Sequence, residues 1–195
     1  MSEASVTLRR LLSEKFPGLR TDLSGRSPKV KDFWPVDLSS CHIAWPRQFA
    51  KGVVTEIICG GNYSGSASLI HALIHCAAVE KQIIAVIDGA DCLDVLSMAP
   101  RDLSRLLWVR CQVAADALKS ADLLLRDNNF SMVLVDLKFN PESELRKIPA
   151  MTWYRMQRLV ENAATVCLVL TPRMLVNATR HRFNLPGLDR SCLRP

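Results

Sequence analysis

The chain has 195 residues, 49% of them hydrophobic, enough for one well-cored domain with short extensions and too few for two. Its net charge of +6 is uneven: residues 1–51 carry nine Lys or Arg against five Asp or Glu, residues 52–170 eleven against thirteen, and residues 171–195 five against one. No apolar run approaches the roughly 20 residues that cross a bilayer, the Met-Ser-Glu-Ala-Ser start lacks a signal peptide's apolar core, and seven cysteines without a Cys-x-x-Cys pair argue against a disulfide framework or zinc site, so a soluble cytoplasmic protein is expected.

From Ser5 to Leu19 the residues Leu8, Leu11, Leu12 and Phe16 recur at helical spacing, opposite Arg9, Arg10, Glu14 and Lys15. Such an amphipathic helix either packs on its own domain or docks into a partner's groove. Residues 20–45 read as an irregular connector in which Trp34 and Trp45 pin the chain to a surface. Beyond Gly52, strands and helices alternate. Val53 to Cys59 predicts a strand, Ser68 to Val79 a helix, Ile83 to Ile87 a strand and Leu106 to Cys111 another. Gln112 to Asn128 predicts an amphipathic helix with Ala114, Leu118, Ala121 and Leu125 on one stripe, stopped by Asn128 and Asn129. Ser131 to Leu137, Met151 to Asn162 and Val166 to Thr171 follow as strand, helix and strand. Five apolar strands separated by helices predict an α/β fold, a mainly parallel five-stranded sheet with helices on both faces. The resulting division is an N-terminal helix and connector over 1–45, a core over 46–172 and a basic C-terminal tail over 173–195.

The chemistry centres on the turn between the first strand and its helix. Gly60, Gly61, Asn62, Tyr63, Ser64, Gly65, Ser66 and Ala67 keep both glycines of the phosphate-binding signature, Gly-x-x-x-x-Gly-Lys-Ser/Thr, at Gly60 and Gly65. Ser66 stands at the Lys position and Ala67 at the Mg²⁺-ligand position, so the turn keeps its shape and loses two supports of phosphoryl transfer. It either attracts an anion through backbone N–H groups ahead of a helix or only joins strand to helix. Asp136, closing its strand, stands where a nucleotide hydrolase places a Mg²⁺-associated carboxylate, or else forms a turn. Asp88, Asp91 and Asp94 crowd near the same sheet edge, where ligands of such folds bind, as caps and turn formers or as a metal site. His71 and His75 are four apart on a helix, a spacing for surface histidines or for two metal ligands that lack a third. Ser66 and Ser68 have no nucleophile elbow around them. Arg173, Arg180, Arg182, Arg190 and Arg194, with His181, make the tail either a basic arm that neutralises phosphates or an ordinary solvated terminus.

Thr55 to Ile58, the glycine turn, Val86 to Asp94 and Met132 to Asp136 together resemble the ATPase core of RecA, with a degenerate Walker A turn. The segments Leu103 to Cys111, Ala117 to Arg126 and Ile148 to Arg155 resemble more closely the ImuA family, RecA-like accessory proteins of bacterial mutagenesis cassettes. The resemblance spans about residues 45 to 172. It implies a P-loop NTPase core and a role in the SOS response and DNA-damage-induced translesion synthesis. The implied partners are an ImuB-like Y-family polymerase homologue and an error-prone replicative-type polymerase, with RecA and single-stranded DNA at the nucleoid as further candidates and no membrane. The loops through which RecA holds single-stranded DNA are absent or drastically shortened, so a DNA contact would have to be built differently, as by the basic tail. Ala90 stands where RecA carries the Glu that activates water. With Ser66 and Ala67 this makes three losses at one site, so hydrolysis is not expected and no cofactor is required, although ATP with Mg²⁺ stays open as a ligand. The reading is a non-catalytic binding protein. Its rivals are a DNA-binding ATPase that uses Asp91 or Asp136 with a Lys from elsewhere, and a cell-division inhibitor of the SulA kind.

Overall fold

A computed structural model describes residues 7, 10, 11, 14, 15, 33–35, 48–60, 65–161, 163–179 and 181–185. Residues 7, 10, 11, 14 and 15 are helical, and the Leu11 side chain is 54% exposed. The rest of that segment, Trp45, and the turn residues Gly61, Asn62, Tyr63 and Ser64 lie outside the described residues, as do Arg180, Arg190 and Arg194.

The sheet is parallel at every pairing and runs β5-β4-β6-β7-β3-β8, with β3 at Val54–Cys59, β4 at Ile84–Asp88, β5 at Leu106–Arg110, β6 at Met132–Asp136, β7 at Val166–Thr171 and β8 at His181–Leu185. The inner strands β4 and β7 are buried at every position, and β6 at all but its last, which is why they read as unbroken apolar runs. Alternation assigns their residues to two cores. Ile84, Val86, Met132, Leu134, Val166, Leu168 and Leu170 face one, while Ala85, Ile87, Val133, Val135, Cys167 and Val169 face the other. The first core is completed by Leu69, Ile70, Leu73 and Ile74 of α1 (Ser66–Val79). The short α2 (Pro100–Leu103) packs on α1, and Pro100 in its first turn spares a backbone donor. The second core is completed by α3 (Ala114–Asp127), α4 (Glu142–Leu145) and α5 (Ala150–Glu161) through residues such as Leu118, Leu125, Leu145, Trp153 and Met156. Asn128 takes the left-handed conformation, φ 55°, that stops α3. Helices therefore cover both faces of a parallel sheet.

Two regions depart from the sequence reading. Within the connector, Phe33–Pro35 forms a strand, β1, antiparallel to β2 (Gln48–Ala50), and Trp34 opposite Phe49 is buried against the α1 side of the sheet. Beyond Thr171 the chain does not leave as a tail. His181–Leu185 adds a sixth strand beside β3, so the folded core continues to at least Leu185. Burying one carboxylate makes this possible. Glu56 in β3 is inaccessible to solvent; its Oε1 accepts from Thr171 Oγ1 and from the Leu175 and Val176 N–H groups, and its Oε2 accepts from Arg182 Nε at 2.8 Å. A carboxylate inside a sheet is tolerable only when donors surround it, and these donors come from the segment that carries the chain from β7 into β8.

Candidate functional site at the carboxyl edge of the sheet

At the carboxyl ends of β3, β4 and β6 the described part of the glycine turn meets two other turns. Gly60 follows β3, and Gly65, with φ 72°, enters α1, a left-handed conformation that glycine adopts without strain. Neither Gly65 nor any acidic residue of the first turn caps the free N–H groups of α1. Ser66 opens the helix and is buried, and its Oγ accepts a hydrogen bond from Lys138 Nζ at 2.9 Å. Lys138 lies two residues past the end of β6, so this turn brings an ammonium to the position at which the loop's own sequence carries serine.

Asp88 and Asp136 are register partners across β4 and β6. Asp88 shapes the turn after its strand: Oδ1 accepts from the Ala90 and Cys92 N–H groups and Oδ2 from Leu93 N–H at 2.7 Å. Of the two readings offered for it, the turn former is the one the bonds describe. Asp136 Oδ1 accepts from the Lys138 backbone N–H at 3.0 Å. Burial pushes the Asp136 carboxyl up to about 6, with the neighbouring Asp88 charge adding to the rise and the Lys138 N–H and ammonium opposing it. The β4 and β6 turns are also locked to each other. Gly89 N–H donates to Asp136 O, and Asn140 Nδ2 donates to Gly89 O at 2.7 Å. A Cβ on Gly89 would overlap Asn140 Oδ1 and come within 2.6 Å of Asp136 O, so only glycine lets the turns approach this closely.

Asp91 and Asp94 do not join the site. Asp91 forms a two-point ion pair with Arg110, at 2.6 and 2.8 Å, which holds its carboxyl below the usual range. Asp94 caps its own turn by accepting from Leu96 and Ser97 N–H. His75 Nδ1 lies 3.1 Å from both oxygens of Asp102 and ties α2 to α1, an attachment different from the shared ligation its spacing with His71 allows. Among the described residues no three His, Cys, Asp or Glu side chains converge on a point that could hold a metal ion.

A comparison of the chain with known family models and with curated proteins finds no match.

Two of the five arginines assigned to a basic arm have other work. Arg173 pairs with Glu142 at 2.7 Å, and with Arg146 on its other side this pushes the Glu142 carboxyl down to about 2. Arg182 pairs with the buried Glu56. Both charges are therefore matched within the fold, because the segment meant to be free is built into the sheet edge. The site residues that sequence reasoning missed are Lys138, Asn140 and Gly89. Lys138 had a faint signal: it follows Asp136 by two positions, within reach of the same edge. No described helix is long and apolar enough to cross a membrane. A groove of about 640 Å³ lies on the helical face between α3, α4 and α5, and none of the residues of the carboxyl-edge site lines it.

Proposed function

We propose that the chain is a RecA-like domain that works by binding rather than by turnover, an accessory protein of damage-induced translesion synthesis resembling ImuA. The observation that supports this reading is a strand and a helix joined between Gly60 and Gly65, with altered residues at the positions that follow. A parallel strand, a glycine turn and a helix stand beside Asp136 at the sheet's carboxyl edge, while Ser66, Ala67 and Ala90 occupy the positions of the lysine, the Mg²⁺-binding hydroxyl and the water-activating carboxylate. Phosphoryl transfer depends almost wholly on such groups, so the fold serves as a scaffold for partners. The partners proposed are an ImuB-like Y-family polymerase homologue, an error-prone replicative-type polymerase and RecA, with single-stranded DNA as a further ligand. The exposed Leu11 supports the N-terminal helix as one contact.

Titration of the purified chain against each of those proteins, with a bacterial division GTPase as the contrast, tests the reading. Binding to a polymerase subunit at micromolar affinity or tighter is expected. Binding to the division GTPase alone would transfer the reading to the SulA-like inhibitor. ATP turnover that disappears in Asp136→Ala would establish the ATPase rival.

A further inference from the structure

The groove between α3, α4 and α5 is walled by helices that leave part of their apolar surface open. Val113, Leu118, Leu123, Ile148 and Met156 line it. Val113 is 38% exposed, and Met151, between the lining residues Pro149 and Thr152, is 73% exposed. An apolar surface of this kind on a folded chain marks a place where something binds. Along α3 the lining runs from Val113 to Leu123, about 15 Å at the rise of an α-helix. That length matches roughly three turns of a second helix laid beside α3, with apolar residues at i, i+3, i+4 and i+7 entering the groove.

The charges around the groove select among such helices. Both carboxylates that line it are committed within the fold. Asp122 pairs with two guanidiniums, Arg126 at 2.8 Å and Arg155 at 2.7 Å, and Glu144 Oε2 accepts from the Ala114 N–H at 2.8 Å, at the positive end of α3. The basic groups reach outward. The Lys119 side chain is 75% exposed and pairs with Asp116 on its own helix, the Arg155 side chain is 61% exposed, and Lys147 is exposed and pairs with no carboxylate among the described residues. A chain entering the groove meets these cations at the rim, which favours carboxylates beside its apolar anchors. The protein's own N-terminal segment has the wrong sign, with Arg9, Arg10 and Lys15 against Glu14, so like charges would oppose its seating here.

We propose that this groove docks an acidic amphipathic helix of a partner protein, its aliphatic anchors on the floor between α3 and α5 and its carboxylates facing Lys119, Lys147 and Arg155. The proposal goes beyond the accessory-protein reading: it names a surface and the chemistry of the partner, and it holds whether or not that partner is a polymerase subunit.

The full chain is titrated with three labelled peptides, followed by fluorescence anisotropy. The first is a designed helix of about 15 residues, long enough to form in water, with leucines at i, i+3, i+4 and i+7 flanked by glutamates. The second carries lysine at every glutamate position, and the third is residues 5–19 of the chain itself. The glutamate peptide should bind in the micromolar range, at least about tenfold more tightly than either of the others, and weaken as salt is raised. Combining Lys119→Glu with Lys147→Glu should weaken it at least about tenfold and make the lysine peptide the better ligand, a reversal that loss of folding cannot produce. Both side chains are exposed, so thermal unfolding should stay close to wild type. Leu123→Gln, at a half-buried position of the floor, should weaken the glutamate peptide about fivefold or more and leave its advantage over the lysine peptide in place. Failure of the glutamate peptide to bind the wild-type chain, equal binding of the glutamate and lysine peptides, or an unchanged preference in the double variant overturns the proposal. Binding of the 5–19 peptide as tightly as the glutamate peptide also overturns it and gives the groove to a second copy of this chain. Polymerase-subunit binding measured beside these titrations bears on the accessory reading alone, so the two can fail separately.

Discussion

Replacing Arg182 by methionine should loosen the far edge of the sheet while leaving the glycine turn intact. Methionine preserves much of the aliphatic stem, so the loss is mainly electrostatic. In the folded chain Glu56 is wholly buried and Oε2 receives Arg182 Nε at 2.8 Å, while Oε1 retains its three other donors. Arg182 also donates through Nη2 to Val176 O, so one substitution strips two acceptors. Removing one partner of a buried ion pair typically costs about 3–5 kcal/mol. The Arg182 side chain is 30% exposed, which lets water reach the gap, so the low end, about 3 kcal/mol, is expected. For a chain of this size that corresponds to roughly 6–12 °C in Tm. Urea unfolding at neutral pH, with hydrogen exchange of the β8 amides, measures it, and the β8 amides should lose protection before those of β4 and β6. A Glu56→Gln, Arg182→Met double variant should show coupling between the two sites. A change below about 0.5 kcal/mol in Arg182→Met, the range of an ordinary surface substitution, would refute the clamp.

Gly89→Ala should destabilise the chain by about 1–3 kcal/mol, the range for forcing a methyl into packed structure, as measured by urea unfolding. Adding Asn140→Ala should recover only part of that loss: it removes the overlap with Asn140 Oδ1 but leaves the backbone oxygen of Asp136 within 2.6 Å of the new Cβ. Complete recovery would mean that the side chain alone makes glycine necessary. Asp136 gives a pH signature. Its carboxyl is raised from 3.8 to about 6 by burial, so the folded state holds the proton more tightly than the unfolded state does. Its contribution is favourable at low pH and is lost as pH rises from about 4 through about 6. Asp136→Asn should therefore gain stability relative to wild type across that window, by on the order of 2 kcal/mol once residual solvent access is allowed for. A gap between the two chains that stays constant from pH 4 to pH 7 would contradict the assignment.

The central strands were legible because burial on both faces requires an unbroken apolar run, and Val166 to Thr171 satisfies that with identical bounds in sequence and structure. The helix α3 was legible through its apolar stripe and the Asn128 stop, and the span expected for α5, Met151 to Asn162, is one residue displaced from the observed Ala150–Glu161. β8 was hidden for the opposite reason. As an edge strand it pairs only with β3, so His-Arg-Phe-Asn-Leu need not be apolar and its charges read as a tail. The one-turn helices α2 and α4 are too short to show a period. A signal for β8 did exist: a glutamate inside the strand that precedes the glycine turn requires donors from somewhere, and the basic segment beyond Thr171 was their nearest unassigned source. At the site, the glycine turn, Asp88 and Asp136 follow from pattern alone, since ligands in parallel sheets gather at the strands' carboxyl edge. The bond between Lys138 and Ser66 joins residues 72 positions apart, and no local pattern encodes which way a lysine in a turn will point.

Placing the lysine on the β6 turn changes what controls the charge. A lysine carried by the glycine turn itself would move with α1, whereas the position of Lys138 is set by bonds that fasten β6 to β4. Its backbone N–H is held by Asp136, the Asp136 carbonyl receives Gly89 N–H, and Asn140 in the same turn holds Gly89 O. The ammonium is thus fixed relative to the β4 turn, whose shape Asp88 determines by accepting from the Ala90, Cys92 and Leu93 N–H groups. A disturbance at residues 89–93 therefore has a route to the head of α1 through Lys138. Asp88 and Asp136 consequently serve this edge through geometry: they hold two turns in register and deliver a cation to the uncapped end of α1, a role that needs neither a metal ion nor turnover.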